Sequence, residues 1–513
     1  MTNRVTFFVA LGAGWLVCVA FFVARAETPP VAATTSTPTS APTSLPSAEA
    51  ARIAEWVVQL GDGRATRREQ ASKALADIGL PALPALRVAT THRDPEVAAR
   101  ASLLITSIRA AAIDDCLLWK TELPVSVWGH RDTLINDELL FLPGRNQTVF
   151  AVKRTDGSVV WEYQADHMNS PRLELAGNTL ICSSSSGFCP ITALDAATGK
   201  ERWQTEDRYF PYDAGTTHLL VGQGDNLQTL IGLSLEDGTV AWRLDVPELF
   251  GSQYGGMHSS VLTKDAYRLT SYHGENAKSV SWGMAAVDPA TGEKQWLLTG
   301  PAGPNYVRGG VGDYLYTFTP DPNTQTPAAT VYSLKTGKKL EKGPYTVDVK
   351  ALTGHGVLVT DKILLSTAYA GLVAYDLASG KELWRYAPYG DLDFSVKLDG
   401  RKMPVEDIKR TRAQLRASHS YAVITNITVC DGEVIFPVGD GLLALDLATG
   451  KPLWKYPAEE FVGGAMVVRD GVAYFKAGGG QLGNFRGETI IQGAEKTHLY
   501  ALDLAKARQL GMP

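Results

Sequence analysis

One phrase recurs along this chain and limits what it can become. It stands as Leu445-Asp446-Leu447-Ala448-Thr449-Gly450-Lys451-Pro452-Leu453-Trp454. It returns around Asp195, Gly199 and Trp203, around Asp288, Gly292 and Trp296, and around Asp376, Gly380 and Trp384. Looser copies end at Trp161 and Trp242, and one has Leu340 in the Trp place. A period of this length marks a stacked or radial array, so the repeat decides the architecture before any single residue is weighed.

Each copy reads as strand, turn, strand. The apolar run Gly441-Leu442-Leu443-Ala444-Leu445 suits a buried strand. Asp446 can fold its carboxylate onto turn N–H groups, and Gly450 can take the positive φ the turn needs. Upstream, Asp431-Gly432 between two apolar runs signals a second hairpin. Two hairpins make a four-stranded antiparallel blade, and blades in a ring make a β-propeller. From Trp119 the marks fall at 161, 203, 242, 296, 340, 384 and 454, giving seven blades. An eighth copy reaches Leu502-Asp503-Leu504-Ala505 and stops with no Trp. Cys116-Leu117-Leu118-Trp119-Lys120 is the candidate for its missing strand, closing the ring and hiding two edges. The fold expected is mainly β, an eight-bladed propeller of four-stranded antiparallel blades behind a small α-helical module. A degenerate copy would reduce the count to seven.

Asp-x-x-Thr-Gly-Lys-x-x-Trp at a period near 40 resembles the PQQ-like propeller repeat, over roughly residues 116 to 510. That superfamily holds quinoprotein alcohol dehydrogenases and a non-enzymatic, BamB-like branch of the outer-membrane protein assembly machine. The resemblance implies that Trp119, Trp161, Trp203, Trp242, Trp296, Trp384 and Trp454 dock between neighbouring blades. For the dehydrogenase branch it implies PQQ with calcium. The alcohol-oxidising members also carry an adjacent Cys pair, and this chain has no Cys-Cys and no Cys-x-x-Cys-His. No quinone-binding residue can be matched one by one, so no catalytic, cofactor or metal residue is assigned.

The front end adds three parts. Residues 1–26 hold an almost unbroken apolar run after Arg4, ending in Ala24-Arg25-Ala26, and read either as a signal peptide or as a retained membrane anchor. Both imply export. Residues 27–47 are rich in Pro, Ser, Thr and Ala and should form an extended tether. Residues 48–112 form a helical module that resembles a HEAT repeat. Thr66 and Glu69 suggest a capping box, Gly79 a stop, and Asp94-Pro95-Glu96 a third start. Ile53, Trp56, Val57, Leu60, Ala71, Leu75, Ile78, Leu83, Leu86, Val97, Ala101, Leu104 and Ile108 are its apolar face. Such pairs need a neighbour to bury that face. The module is either a docking surface or a structural collar. The propeller is placed at 113–513.

The net charge of −5 offers no basic field for nucleic acid. Nine His show no metal-ligand spacing, and no Cys-x-x-Cys is present. Cys182 and Cys189 flank a loop and can close it as a disulfide if the protein is exported. An insertion at about 388–418 carries Lys409, Arg410, Arg412 and Arg416 on one side of a helical pattern. That side is either a contact for an acidic partner or a solvated face. The function expected is a non-catalytic scaffold of the cell envelope with protein partners. The alternatives are a quinoprotein-type oxidoreductase and a small-ligand or glycan sensor using the funnel.

Overall fold

The structure is a computed structural model describing residues 23–25 and 47–512, apart from 125–132, 145–146, 166–170, 185–186, 225–226, 251–256, 263–265, 274–280, 302–306, 320–327, 348–351, 353–355, 369–370, 388–426, 439–440, 459–461 and 486–487. The basic helix with Lys409, Arg410, Arg412 and Arg416, and the apolar run up to Phe22, lie outside the described residues. Among the described residues no helix is long and apolar enough to cross a membrane.

Eight antiparallel sheets follow one another along the chain. Blades 1 to 7 span 134–164, 171–204, 210–245, 257–301, 307–340, 356–386 and 428–457. Blade 8 takes three strands from 462–503 and its fourth, Leu117–Glu122, from the other end of the chain. Leu117 pairs with Leu502, Lys120 with Tyr500 and Glu122 with His498. The predicted closing strand is therefore in place. A short parallel strand, Val23–Arg25, adds to blade 6 along Val357–Val359.

Burial sorts the strands within a blade. Second and third strands such as Glu433–Val438 and Gly441–Asp446 are buried nearly throughout, and fourth strands such as Pro452–Pro457 are exposed at alternate positions. First strands of successive blades touch one another. They line the axis, and the fourth strands form the rim.

The helices are α1 Ser47–Gln59, α2 Ala65–Ile78, α3 Leu83–Ala89 and α4 Pro95–Cys116, with α5 Val246–Phe250 between blades 3 and 4 and α6 Leu504–Leu510 after blade 8. The predicted apolar face of the first four converges in one core with Leu60, Leu75, Leu86 and Ala101 fully buried. Asp94 caps α4 by accepting the Glu96 N–H at 2.9 Å. Gly79 ends α2 with φ +74. The Thr66–Glu69 capping box is not formed. α2 starts two residues earlier, at Ala65, and its N-cap Arg64 makes no side-chain cap; Asp62 instead holds the Arg64 N–H at 2.8 Å.

α4 runs directly into the closing strand, with Cys116 and Leu117 adjacent. Replacing Leu117–Glu122 by Gly/Ser residues should leave blade 8 one strand short, lower the thermal midpoint and cause aggregation in size-exclusion runs. An unchanged melt would contradict the closure.

Candidate functional site

The repeat residues assemble at the junctions between blades. Within a turn, the Gly199 N–H donates to the Asp195 carbonyl at 2.8 Å, and Asp195 Oδ1 accepts from the Thr198 N–H at 3.0 Å and its hydroxyl at 2.9 Å. Asp288 accepts from the Ala290 and Thr291 N–H groups, Asp376 from Ser379, and Asp446 from Thr449. Gly199, Gly292, Gly380 and Gly450 all have φ near +70, between +68 and +72.

The Trp closes the motif across the junction, not within its own blade. A Cβ placed on Gly157, Gly199, Gly238, Gly292, Gly337 or Gly450 would come within 2.5–2.8 Å of an indole atom of Trp119, Trp161, Trp203, Trp242, Trp296 or Trp384 respectively. Each turn glycine is thus the floor on which the preceding blade's indole lies. Five indole N–H groups then donate to the carbonyl three residues before that glycine. Trp119 reaches Arg154 at 2.8 Å, Trp161 Ala196 at 3.1 Å, Trp203 Leu235 at 3.1 Å, Trp242 Pro289 at 3.2 Å and Trp384 Leu447 at 2.9 Å.

Three junctions depart from the pattern. Trp296 lies on Gly337, but among the described residues its buried indole nitrogen has no acceptor. Blade 5 has Leu340 in the Trp place, and a backbone segment does the work: the Thr346 N–H donates to the Leu377 carbonyl at 2.9 Å, and Thr346 covers Gly380. At the last junction α6 replaces the turn. Trp454, 1% exposed, donates to Glu433 Oε2 at 3.2 Å. Arg508 on α6 grips the same carboxylate at 3.1 Å and Asp431 at 2.8 Å. Between blades 8 and 1, Arg154 pairs with Asp470 at 2.8 Å, and Arg469 pairs with Asp137.

At the inner edges of blades 2 and 3 sits a buried ion pair. Arg172 meets Glu174 at 2.8 Å and donates to the Pro211 carbonyl at 2.9 Å and to that of Tyr212, and Glu174 accepts the Ala214 N–H. Buried charges are stable only when paired this fully. The group ties two blades together and uses the Glu174 oxygens in doing so.

Cys182 and Cys189 do not form the expected disulfide; both are free, buried thiols. Cys182 packs with Phe141 and Leu180 in the core shared with blade 1, and Cys189 with Trp203 and Tyr209 in the core shared with blade 3. Cys189 Sγ accepts the Ser184 N–H at 3.0 Å. Burial pushes both thiols up, and the Ser184 N–H and Arg208 partly offset this at Cys189. Burial, with Asp115 and Asp431 beside them, also pushes Cys116 and Cys430 up to about 11.

A quinone site of the superfamily's kind needs calcium, with about six to eight oxygen ligands. Among the described residues no three His, Cys, Asp or Glu side chains gather to hold a metal.

A family described as outer membrane protein assembly factor BamB matches the chain at residues 105–213, 191–313, 285–417 and 409–510. The chain is a PQQ-like propeller and belongs to this family. No curated protein matches it. Among solved structures it is similar to BamB from Moraxella catarrhalis, at 14% identity over 75% of this chain and 99% of that one, with a TM-score of 0.43. It is also similar to the quinohemoprotein alcohol dehydrogenase of Comamonas testosteroni, at 14% identity over 77% of each chain, with a TM-score of 0.49. A europium-containing methanol dehydrogenase matches at 14% identity over 76% of this chain and 93% of that one, with a TM-score of 0.47.

Gly450→Ala should destabilise by roughly 3 kcal/mol, from overpacking against Trp384 together with a left-handed backbone. Gly432→Ala, at φ +76 with nothing within 4 Å of the added methyl, should lose only about 1 kcal/mol. Chemical denaturation of the two variants separates contact from conformation.

Hydrogen bonds from Ser379 hold the Asp376 carboxyl below its ordinary 3.8, and those from Arg202 and then Thr198 do the same for Asp195. A depressed folded pKa contributes stability that is present above the unfolded value and lost as pH falls through the folded one. Asp376→Asn and Asp195→Asn should therefore flatten the stability curve below about pH 4. Denaturant midpoints measured between pH 2 and pH 6 check the sign.

Proposed function

We propose that this protein is a non-catalytic β-propeller of the cell envelope that acts as a protein-interaction scaffold. The observation that carries this reading is the family match, which runs through residues 105–510 and so through every blade. The family's description names a factor for assembly of outer-membrane proteins, and a role beside such a machine is the natural extension to this chain.

The geometry supports a rigid frame. The repeated Asp, Gly and Trp side chains are engaged in turns and junctions. The helical module is fixed to the ring by a helix continuous with the closing strand. Val58, Val88 and Leu103 on that module are 76%, 75% and 71% exposed, while every other exposed large apolar side chain described is below 50%. Under this reading they lie on the side of the module that another protein contacts. On the same reading the apolar run within residues 1–26 directs export or anchors the chain.

Two measurements test the proposal. Protein purified from residue 27 onward, offered PQQ and calcium, should show neither stoichiometric binding nor dye-linked alcohol oxidation. A photo-crosslinker at Val88 or Leu103 in intact cells should give a discrete protein adduct, and one at Glu236 should not. Stoichiometric quinone with turnover would replace the scaffold by an oxidoreductase.

A further inference from the structure

The junction between blades 7 and 8 is built unlike the others. Elsewhere the next blade offers a glycine turn, or a substitute backbone segment fills in from the blade before. Here the chain leaves blade 8 at Asp503, which caps α6 by accepting the Ala505 N–H at 2.8 Å and the Lys506 N–H at 3.2 Å. The Trp454 indole N–H donates to Glu433, and Glu433 accepts from Arg508 of α6. α6 thus adds a polar link to a junction where Ile435 and Leu442 of blade 7 already share a core with Phe475 and Tyr500 of blade 8.

The helical module sets the position of α6. Arg109 on α4 donates to the Leu510 carbonyl at 2.8 Å and the Met512 carbonyl at 3.0 Å. Arg87 on α3 reaches the Met512 carbonyl at 2.6 Å. Lys506 donates to the Asp115 carbonyl at 3.0 Å and to its carboxylate at 3.1 Å. Ala112, Ile113 and Cys116 share one apolar core with Leu504, Ala507, Leu510 and Trp454. The Gly511 carbonyl accepts the Lys455 N–H from the rim strand of blade 7 at 3.3 Å. Blade 7 is thus joined to α6, and α6 to α3 and α4.

We propose that the helical module is the clasp of the ring. It holds α6 in place of the missing eighth turn, and its release opens the propeller between blades 7 and 8. The hydrogen-bonded strand closure inside blade 8 and the Arg154–Asp470 side of that blade stay shut. A partner that pulls the module away would act on this one junction. The inference does not depend on the scaffold reading.

The test is hydrogen exchange on the full chain carrying Arg87→Ala and Arg109→Ala. Exchange should accelerate about tenfold or more in 428–457 and 504–510, with blades 2 to 4 unchanged within about twofold. Arg508→Met, which frees Glu433 but leaves the module docked, should give the same footprint in blade 7 without loosening α2 or α3. Arg154→Met should loosen only blades 8 and 1. Acceleration spread evenly around the ring, confined to the helices, or absent from blade 7 would overturn the clasp. If the double variant does not fold, Arg508→Met decides: unchanged protection in blade 7 rejects the proposal.

Discussion

An indole lying on a glycine holds this molecule together. A buried Trp removes about 200 Å² from water, worth at most about 5 kcal/mol at about 25 cal/mol per Å². Its N–H bond adds about 1 kcal/mol. Packing therefore supplies the energy and the hydrogen bond supplies the angle. That ranking explains why Trp296 can sit on Gly337 with its nitrogen unmet, and why Thr346 can stand in for an indole at Gly380. Seven junctions place a flat or slim group against a turn without Cβ, and six of these add a donor for one carbonyl. The residue type is secondary.

The carboxylates of the repeat serve the same end. Asp195, Asp376 and Asp446 bind their own turns, which present glycine and carbonyl at fixed positions to the neighbouring blade. The motif is therefore one unit spread over two blades. Its repeated side chains fix geometry.

Much of this was legible in the chain. The period gave the blades, and the truncated eighth copy gave the closing strand, because a missing Trp implies a missing strand. The helical core followed from spacing alone. What spacing could not show is the owner of each contact. Trp384 and Leu447 are 63 residues apart, and nothing local joins them. The Thr346 substitution is carried by a backbone N–H and leaves no residue signature. Cys182 and Cys189 looked able to bond because their spacing does not reveal that they enter cores on opposite sides of one blade. The turn glycines were read for their φ, whereas their lack of a side chain matters as much.

Blade 8 draws on both ends of the polypeptide, and this governs when the protein can become itself. Leu117 meets Leu502 across roughly 380 residues, a loop whose closure costs about 5 kcal/mol of chain entropy. No partial product can meet that cost, since the strands that reward it are the last to be made. Until blade 8 pairs its strands, the first seven blades form an unclosed arc with two bare edges.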